Sequence, residues 1–514
     1  MNNVSDVSGG KIKDLRELSV VLEGLKAQGK TIVHCHGVFD LIHPGHIRHL
    51  EAARAQGDVL VVTLTQDRHV NKGPDRPVFN ERLRAESLAA LQVVDFVAIN
   101  EWPVAVDTIH LLRPNIYVKG NDYADASQDL TGKIGLEEQA ILDVGGRIHF
   151  TNDPVTFSSS RLLNSYFSVL SSDVESYLKE FKGLYSANQV IEKLRDCKDM
   201  RVLVIGDAIL DEYHFCSPLG MATKSTVINA RFLSSELHAG GVLCVANNVS
   251  GFCREVDLMT CLGDQNPQEE FIRGHLNSNV RPHFWRRPNG PTTVKRRFIE
   301  PSRYSKLLEV CFIDDSPLEH EIAADIVERV QKISKDYDLV LVADFGHGML
   351  TPPLVEALCA SPKFLAVSAQ TNSVNFGYNL INKYPRADYI CIDEGEIRLN
   401  CHSKLGPLEG LMDEVTGQTR ASVMTVTRAK NGSATWRKGE KVVYAPAFTA
   451  QALDPTGAGD AYLSVAALCA ARGYSSDFLG FVGNCAGALA VRTLGNRESV
   501  QPAALNKFVT ALLA

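Results

Sequence analysis

The run Gly37-Val38-Phe39-Asp40-Leu41-Ile42-His43-Pro44-Gly45-His46 sets two imidazoles three residues apart, where an apolar stretch (31–35) meets a helical pattern (47–53). A helix start offers unpaired N–H groups and partial positive charge, and Gly45 lets the backbone come close to a phosphate. Two histidines there can donate to non-bridging oxygens. Transfer at an α-phosphorus gathers negative charge in its transition state, so donors fixed at that point lower the barrier without a covalent nucleophile. A bare H-x-x-H could simply decorate a helix start; the ten-residue context between buried strand and helix selects the chemical reading.

A second constellation, Asp454-Pro455-Thr456-Gly457-Ala458-Gly459-Asp460, enters a helix of small residues. Glycines on either side of a helix start form a nest of backbone N–H groups, an anion hole for a moving phosphoryl group. Asp460 at that start is placed to take a proton from an attacking hydroxyl. No G-x-x-x-x-G-K-[ST] run occurs, so this is not a Walker loop.

Both constellations need a scaffold, and 514 residues exceed one ordinary core. Apolar strand-like runs at 58–64, 94–99, 116–118 and 147–150 alternate with helical patterns after an amphipathic helix at 11–29. That predicts a parallel α/β sheet over 11–168. Residues 169–198 are charged and free of proline, and read as a helical connector. Strand-like runs at 201–205, 339–343, 364–368, 389–392 and 422–426 then predict a second α/β unit over 199–514. A net charge of -7 leaves no general basic surface for nucleic acid. Twelve scattered cysteines without a C-x-x-C pair, no signal-like start and no long apolar span point to a cytoplasmic protein away from membranes.

The first constellation resembles the cytidylyltransferase-like nucleotidyltransferases, marked by H-x-G-H after a G-x-F-D strand end. Lys72 to Val78, followed by Arg84, is similar to that family's loop of phosphate-directed basic residues. Tyr117-Val118-Lys119-Gly120-Asn121-Asp122-Tyr123 resembles the V-K-G-x-D-Y stretch of its sugar-phosphate branch, and Ser158-Ser159-Ser160 its phosphate-binding hydroxyl motif at a helix start. The resemblance implies a Rossmann-like fold with His43, His46 and Lys119 catalytic. It implies nucleotide contacts at Gly37, Phe39, Asp40, Gly45, Lys72, Arg76, Arg84 and Ser158–Ser160, and places Asp122 on the substrate. ATP or CTP would serve.

The second constellation resembles the D-T-G-A-G-D signature of the ribokinase-like (PfkB) sugar kinases, an α/β fold. The resemblance implies Asp460 as base, with nucleotide or phosphate contacts at Thr427, Thr456, Gly457, Ala458, Gly459 and Asn484. Sugar contacts fall on Asp211, Gly240, Gly241 and Asn247, and Mg2+ with ATP on Glu396. Four positions depart from the pattern: Cys244 stands for a substrate-binding Asn, His347 for Lys, Ser368-Ala369-Gln370 for D-P-K, and Asp393 for the Asn of N-x-x-E.

Together the halves resemble the bifunctional heptose-phosphate kinase/heptose-1-phosphate adenylyltransferases of ADP-heptose synthesis, with domain order reversed. The implied function is phosphorylation of a heptose-like sugar, then nucleotidyl transfer to the sugar 1-phosphate with loss of pyrophosphate, in a homodimer. An alditol- or glycerol-phosphate cytidylyltransferase with a degenerate, regulatory kinase-like domain is the alternative, and a catalytically dead binding scaffold a third reading.

Overall fold

Strands buried on both faces carry unbroken apolar runs, because helices cover both sides of a parallel sheet. The computed structural model describes residues 10–70, 76–120, 133–151, 170–222, 226–302, 304–449 and 452–513. Expectations for Lys72, Asp122 and Ser158–Ser160 lie outside them. Two compact units divide the chain, Met1–Ser171 and Ser172–Ala514.

In the first unit β1 (Ile32–Gly37), β2 (Val59–Thr65), β3 (Phe96–Asn100), β4 (Ile116–Gly120) and β5 (Arg147–Thr151) form one sheet in the order β3-β2-β1-β4-β5. Each pair is parallel. Alternate residues of β1 and β2 serve opposite faces. Val33, Cys35, Leu60 and Val62 pack with Leu50, Ala53 and Leu88, while Ile32, Val59 and Val61 pack with Leu15, Leu18 and Leu22. Each such fully buried leucine contributes about 1.5–3 kcal/mol. The strand order reverses between β1 and β4, and ligand crevices in open α/β sheets form beyond the carboxyl ends at such a point.

The second unit contains β6 (Arg201–Gly206), β7 (Ala208–Met221), β8 (Ile228–Gly241), β9 (Glu255–Gln265), β10 (Val280–Pro291), β11 (Thr293–Glu300), β12 (Ser305–Phe312), β13 (Leu339–Asp344), β14 (Phe364–Ala369), β15 (Tyr389–Asp393), β16 (Val423–Thr427), β17 (Ser433–Arg437) and β18 (Val443–Ala445). The large sheet runs β10-β9-β6-β13-β14-β15-β16-β17-β18, parallel until β17 and β18 turn antiparallel at one edge. The helices Ser172–Leu184 and Ala187–Arg195, expected as a connector, pack on this unit. Phe181 stacks on Phe481 with ring centroids 4.1 Å apart, and Tyr185 donates or accepts at Ser475 over 3.0 Å.

A separate four-stranded sheet, β12-β11-β7-β8, has no counterpart in the strand-like runs read from sequence. One of its faces is open, so its residues alternate in polarity and never build a continuous apolar run. In register, Lys295 pairs with Asp211, Arg297 with Tyr213, and Asp211 with His238. The opposite face holds Arg296, Phe298, Leu308, Val310 and Phe312, of which Leu308 is 59% exposed.

Candidate active sites

His43 is the N-cap of the helix Pro44–Arg54. Its Nδ1 accepts the Gly45 N–H at 3.1 Å, which assigns the remaining ring proton to Nε2 and makes that nitrogen a donor. The His43 and His46 rings stack with centroids 4.0 Å apart, and Phe39 meets His46 edge-on at 5.3 Å. Phe39 itself sits at a φ of 49°, in the left-handed region that bulky residues rarely adopt. The strand end thus carries local strain next to the paired imidazoles.

Asp40 holds the neighbouring loop in place. Its Oδ1 accepts Val78 N at 2.7 Å and Phe79 N at 3.3 Å, and its Oδ2 pairs with the buried guanidinium of Arg76. Arg84, expected to face a phosphate, is 1% exposed and braces the strand ends. It donates to Thr65 O and Asp67 Oδ1, both at 2.7 Å, to Phe79 O at 2.9 Å, and to Val38 O. Lys119 lies at the end of β4 in a buried ion pair with Glu137, 2.8 Å away, and Glu137 also accepts from Tyr117 at 3.0 Å. The ammonium reinforces burial in keeping the imidazoles below it neutral, with His34 lowered to about 3. The histidine–threonine ladder was not foreseen: His34 Nε2 lies 2.7 Å and His36 Nδ1 2.9 Å from Thr63 Oγ1.

In the second unit the carboxyl ends of β6, β13, β14, β15 and β16 carry Asp207, Asp344, Gln370, Asp393 and Thr427 in turn. Asp207 binds the following turn, accepting Phe345 N at 3.0 Å and His347 and Met349 N at 3.3 Å. Burial, with Asp344 adding to it, pushes the Asp207 carboxyl up to about 6. Asp393 and Glu396 form a capping box: the Asp393 carboxylate accepts Glu396 N and Glu396 accepts Asp393 N, each at 2.8 Å. Asp and Asn serve equally as N-caps. The departure from N-x-x-E therefore preserves the local structure.

Glu396, the residue the resemblance implies for Mg2+, is held by backbone N–H groups on both oxygens. Its second oxygen accepts Thr371 N at 3.1 Å, and burial raises its carboxyl to about 8. Among the described residues no three His, Cys, Asp or Glu side chains gather to hold a metal.

Asp460 lies in the first turn of the helix Ala458–Ala471, whose N-cap Gly457 has a φ of 82°. Its Oδ1 accepts the Gln370 amide at 2.8 Å, and burial pushes its carboxyl up to about 6. Asp211 receives Asn496 Nδ2 at 2.9 Å and the guanidinium of Arg297, which also contacts Glu309 at 2.7 Å. A side chain at Gly240 would put its Cβ 2.0 Å from Asp211 Oδ2, and one at Gly457 would come within 2.1 Å of Asn496 Oδ1. These two glycines let Asp211, Asn496 and the helix start at Gly457 converge. Gly241, at a φ of 57°, caps the helix Val242–Ser250, while Ala458 and Gly459 open the helix of Asp460.

Asp454 ties the small sheet to the same turn. It accepts Lys306 at 2.8 Å, Thr456 Oγ1 at 2.7 Å, Tyr213 at 3.0 Å and Gly495 N at 3.1 Å, donors that hold its carboxyl at about 2 against burial. Cys244 donates to Asn496 Oδ1 at 3.2 Å, beside a cavity of about 320 Å³ that both help to line. Asn247 turns to His275 O, 2.8 Å, and Asn277 N, 3.0 Å. Asn484 is occupied by Ser433 Oγ and Gly480 O, both at 2.9 Å, and Ala445 O at 3.2 Å. Arg297, Asn496 and Lys295 were missed in the sequence, where Gln370 stood out only as a departure from D-P-K. The register of the small sheet reveals the cations, but Asn496 carries no motif.

Residues 200–504 match the family model described as pfkB family carbohydrate kinase, and residues 34–165 the one described as cytidylyltransferase-like. The Bifunctional protein HldE of Pelobacter propionicus is 40% identical over 147 residues, 28% of this chain and 29% of that protein. HldE of Geobacter metallireducens is 40% identical over 156 residues, 30% of each chain. These similarities fall on the nucleotidyltransferase part, so the chain spans under a third of the curated relatives it matches. The crystal structure of phosphofructokinase-2 from Escherichia coli with potassium aligns at a TM-score of 0.50 and 14% identity, covering 61% of this chain and 99% of that one. That likeness shows the ribokinase-like fold of the C-terminal unit.

Proposed function

Because the chain belongs to the pfkB family of carbohydrate kinases and carries a cytidylyltransferase-like domain ahead of the kinase, we propose that it activates a heptose-like sugar in two steps. The C-terminal unit phosphorylates the sugar from ATP. The N-terminal unit then transfers a nucleotidyl group to the sugar 1-phosphate and releases pyrophosphate. The presence of both constellations on one chain, His43 with His46 and Gly457 with Asp460, carries this reading.

In the first step Asp460 takes the proton of the acceptor hydroxyl as its oxygen attacks the γ-phosphorus. The bond from that phosphorus to the ADP oxygen breaks, and the helix start at Gly457–Asp460 receives the charge on the moving group. Asp211, oriented by Asn496 and Arg297, holds sugar hydroxyls, with Gly240 and Gly241 leaving room. In the second step the sugar phosphate attacks the α-phosphorus, and the His43 Nε2 proton, with His46, neutralises the charge there. Lys119 exchanges Glu137 for a phosphate oxygen. Arg76, Lys72, Asp122 and Ser158–Ser160 belong to the same proposal, as do Thr427 and Asn484 around the kinase nucleotide.

Mg2+ would be held on the Glu396 side of the kinase site and would supply charge neutralisation to the phosphates. The choice of ATP over CTP in the N-terminal site follows the likeness to HldE. The proposal puts the enzyme in the cytoplasm, where its twelve free thiols stay reduced. It further makes the protein a homodimer, with a second copy covering Phe232, Leu308 and Phe312 on the open face of the small sheet, 56%, 59% and 41% exposed. Light scattering reads this directly: a monomeric wild type removes the dimer.

The decisive experiment incubates the protein with a matrix of nucleoside triphosphates and sugar phosphates and identifies products by mass spectrometry. An NDP-sugar with pyrophosphate supports the reading, and unchanged pyrophosphate release by H43A overturns the assignment of the first site.

A further inference from the structure

We propose that Gln370 is the positioning residue for Asp460, presenting one carboxylate oxygen to the sugar hydroxyl by occupying the other. The proposal rests on Asp460 being the kinase base. Gln370 follows β14, and its own backbone is held on both sides. Its N–H donates to Asp344 O at 2.8 Å, and its carbonyl accepts Asn379 Nδ2 at 3.0 Å. Asn379 in turn also donates to the Asp344 carboxylate at 3.1 Å. The amide that reaches Asp460 Oδ1 therefore projects from a fixed point, which removes one rotational freedom from the base. Among the described residues, no hydrogen bond to Oδ2 is formed, leaving that oxygen for the acceptor.

A neutral donor suits this position. Burial pushes the Asp460 carboxyl up to about 6, and Asp211 adds to the rise, while Gln370 and Lys295 pull it down. Glu396, Cys244 and Cys391 face the same carboxylate from the helix Glu394–Asn400, the helix Val242–Ser250 and β15. The hydrogen bond keeps enough carboxylate at neutral pH without the larger fall in basicity that a cation in contact would cause. The step itself is the one already described: the hydroxyl proton passes to Asp460 as the γ-phosphoryl group moves to the sugar.

The test titrates the Asp460 carboxyl by 13C NMR in the full-length protein, its signal assigned by loss in D460N, and sets this beside pH–rate profiles with ATP, magnesium and a heptose phosphate. In Q370A the carboxyl titrates higher than in wild type, the acid limb of kcat moves up with it, and kcat falls about tenfold with the KM for ATP unchanged. Q370K retains a donor and adds charge, so activity returns in part and the limb moves below that of wild type. Coincident titrations in wild type, Q370A and Q370K overturn the positioning role, and need no turnover to do so. Phosphoryl transfer retained by D460N instead overturns the assignment of the base, a separate failure.

Discussion

Asn496 Nδ2 donates to Asp211 Oδ2 at 2.9 Å, across 285 positions of sequence. Its other end accepts the Cys244 thiol at 3.2 Å, so a carboxamide stands beside the very helix position where the sugar-kinase pattern expects an Asn and this chain has Cys. That carboxamide comes from a distant loop rather than from the helix of Cys244. N496A is expected to raise the KM for the sugar about tenfold with little change for ATP, the size of one hydrogen bond to a charged group. N496D, which sets a second carboxylate against Asp211, is expected to be worse, and initial-rate kinetics on both substrates reads the difference.

G457A is expected to abolish phosphoryl transfer. The position has a φ of 82°, and an added Cβ would lie 2.1 Å from Asn496 Oδ1. Strain and overlap together cost about 1–3 kcal/mol, visible as a lower melting temperature. Nucleotidyl transfer by the other unit is expected to continue, and its loss would show that the damage is global.

Phosphoryl transfer is expected to have an acid limb near pH 6. Burial raises the folded pKa of Asp460 to about 6, and the base must be ionised to accept a proton. Activity is therefore full above that value and falls as pH drops through it. A profile flat down to pH 4.5 would contradict this, since an unperturbed Asp titrates at about 3.9.

R84K is expected to unfold the first unit more than it changes nucleotide affinity. The guanidinium satisfies Val38, Thr65 and Phe79 carbonyls and Asp67 at once, a fork that an ammonium cannot reproduce. A loss of about 2–4 kcal/mol in denaturant melts is expected. Lower affinity at unchanged stability would instead support Arg84 as a phosphate ligand.

Continuous apolar runs such as 58–64 and 339–343 announced both parallel sheets, and glycines and histidines at fixed spacing announced two helix starts, because backbone turns and caps are local demands. Asp393 and Glu396 were equally local: their spacing is a capping box, legible as such once it is placed at a helix start. The four-stranded sheet was not legible, since strands with one open face mix polar and apolar residues. Nor could spacing show that Arg84 braces carbonyls or that Asn484 pins a helix, because a side chain's partner depends on which distant backbone groups are left unsatisfied nearby. The sequence by itself thus determined the two folds and the local turns at which the two helices start. Only the tertiary structure decided that Asn496, Arg297 and Gln370 surround the acids, since long-range contacts arise from strand register and packing and leave no periodic trace along the chain.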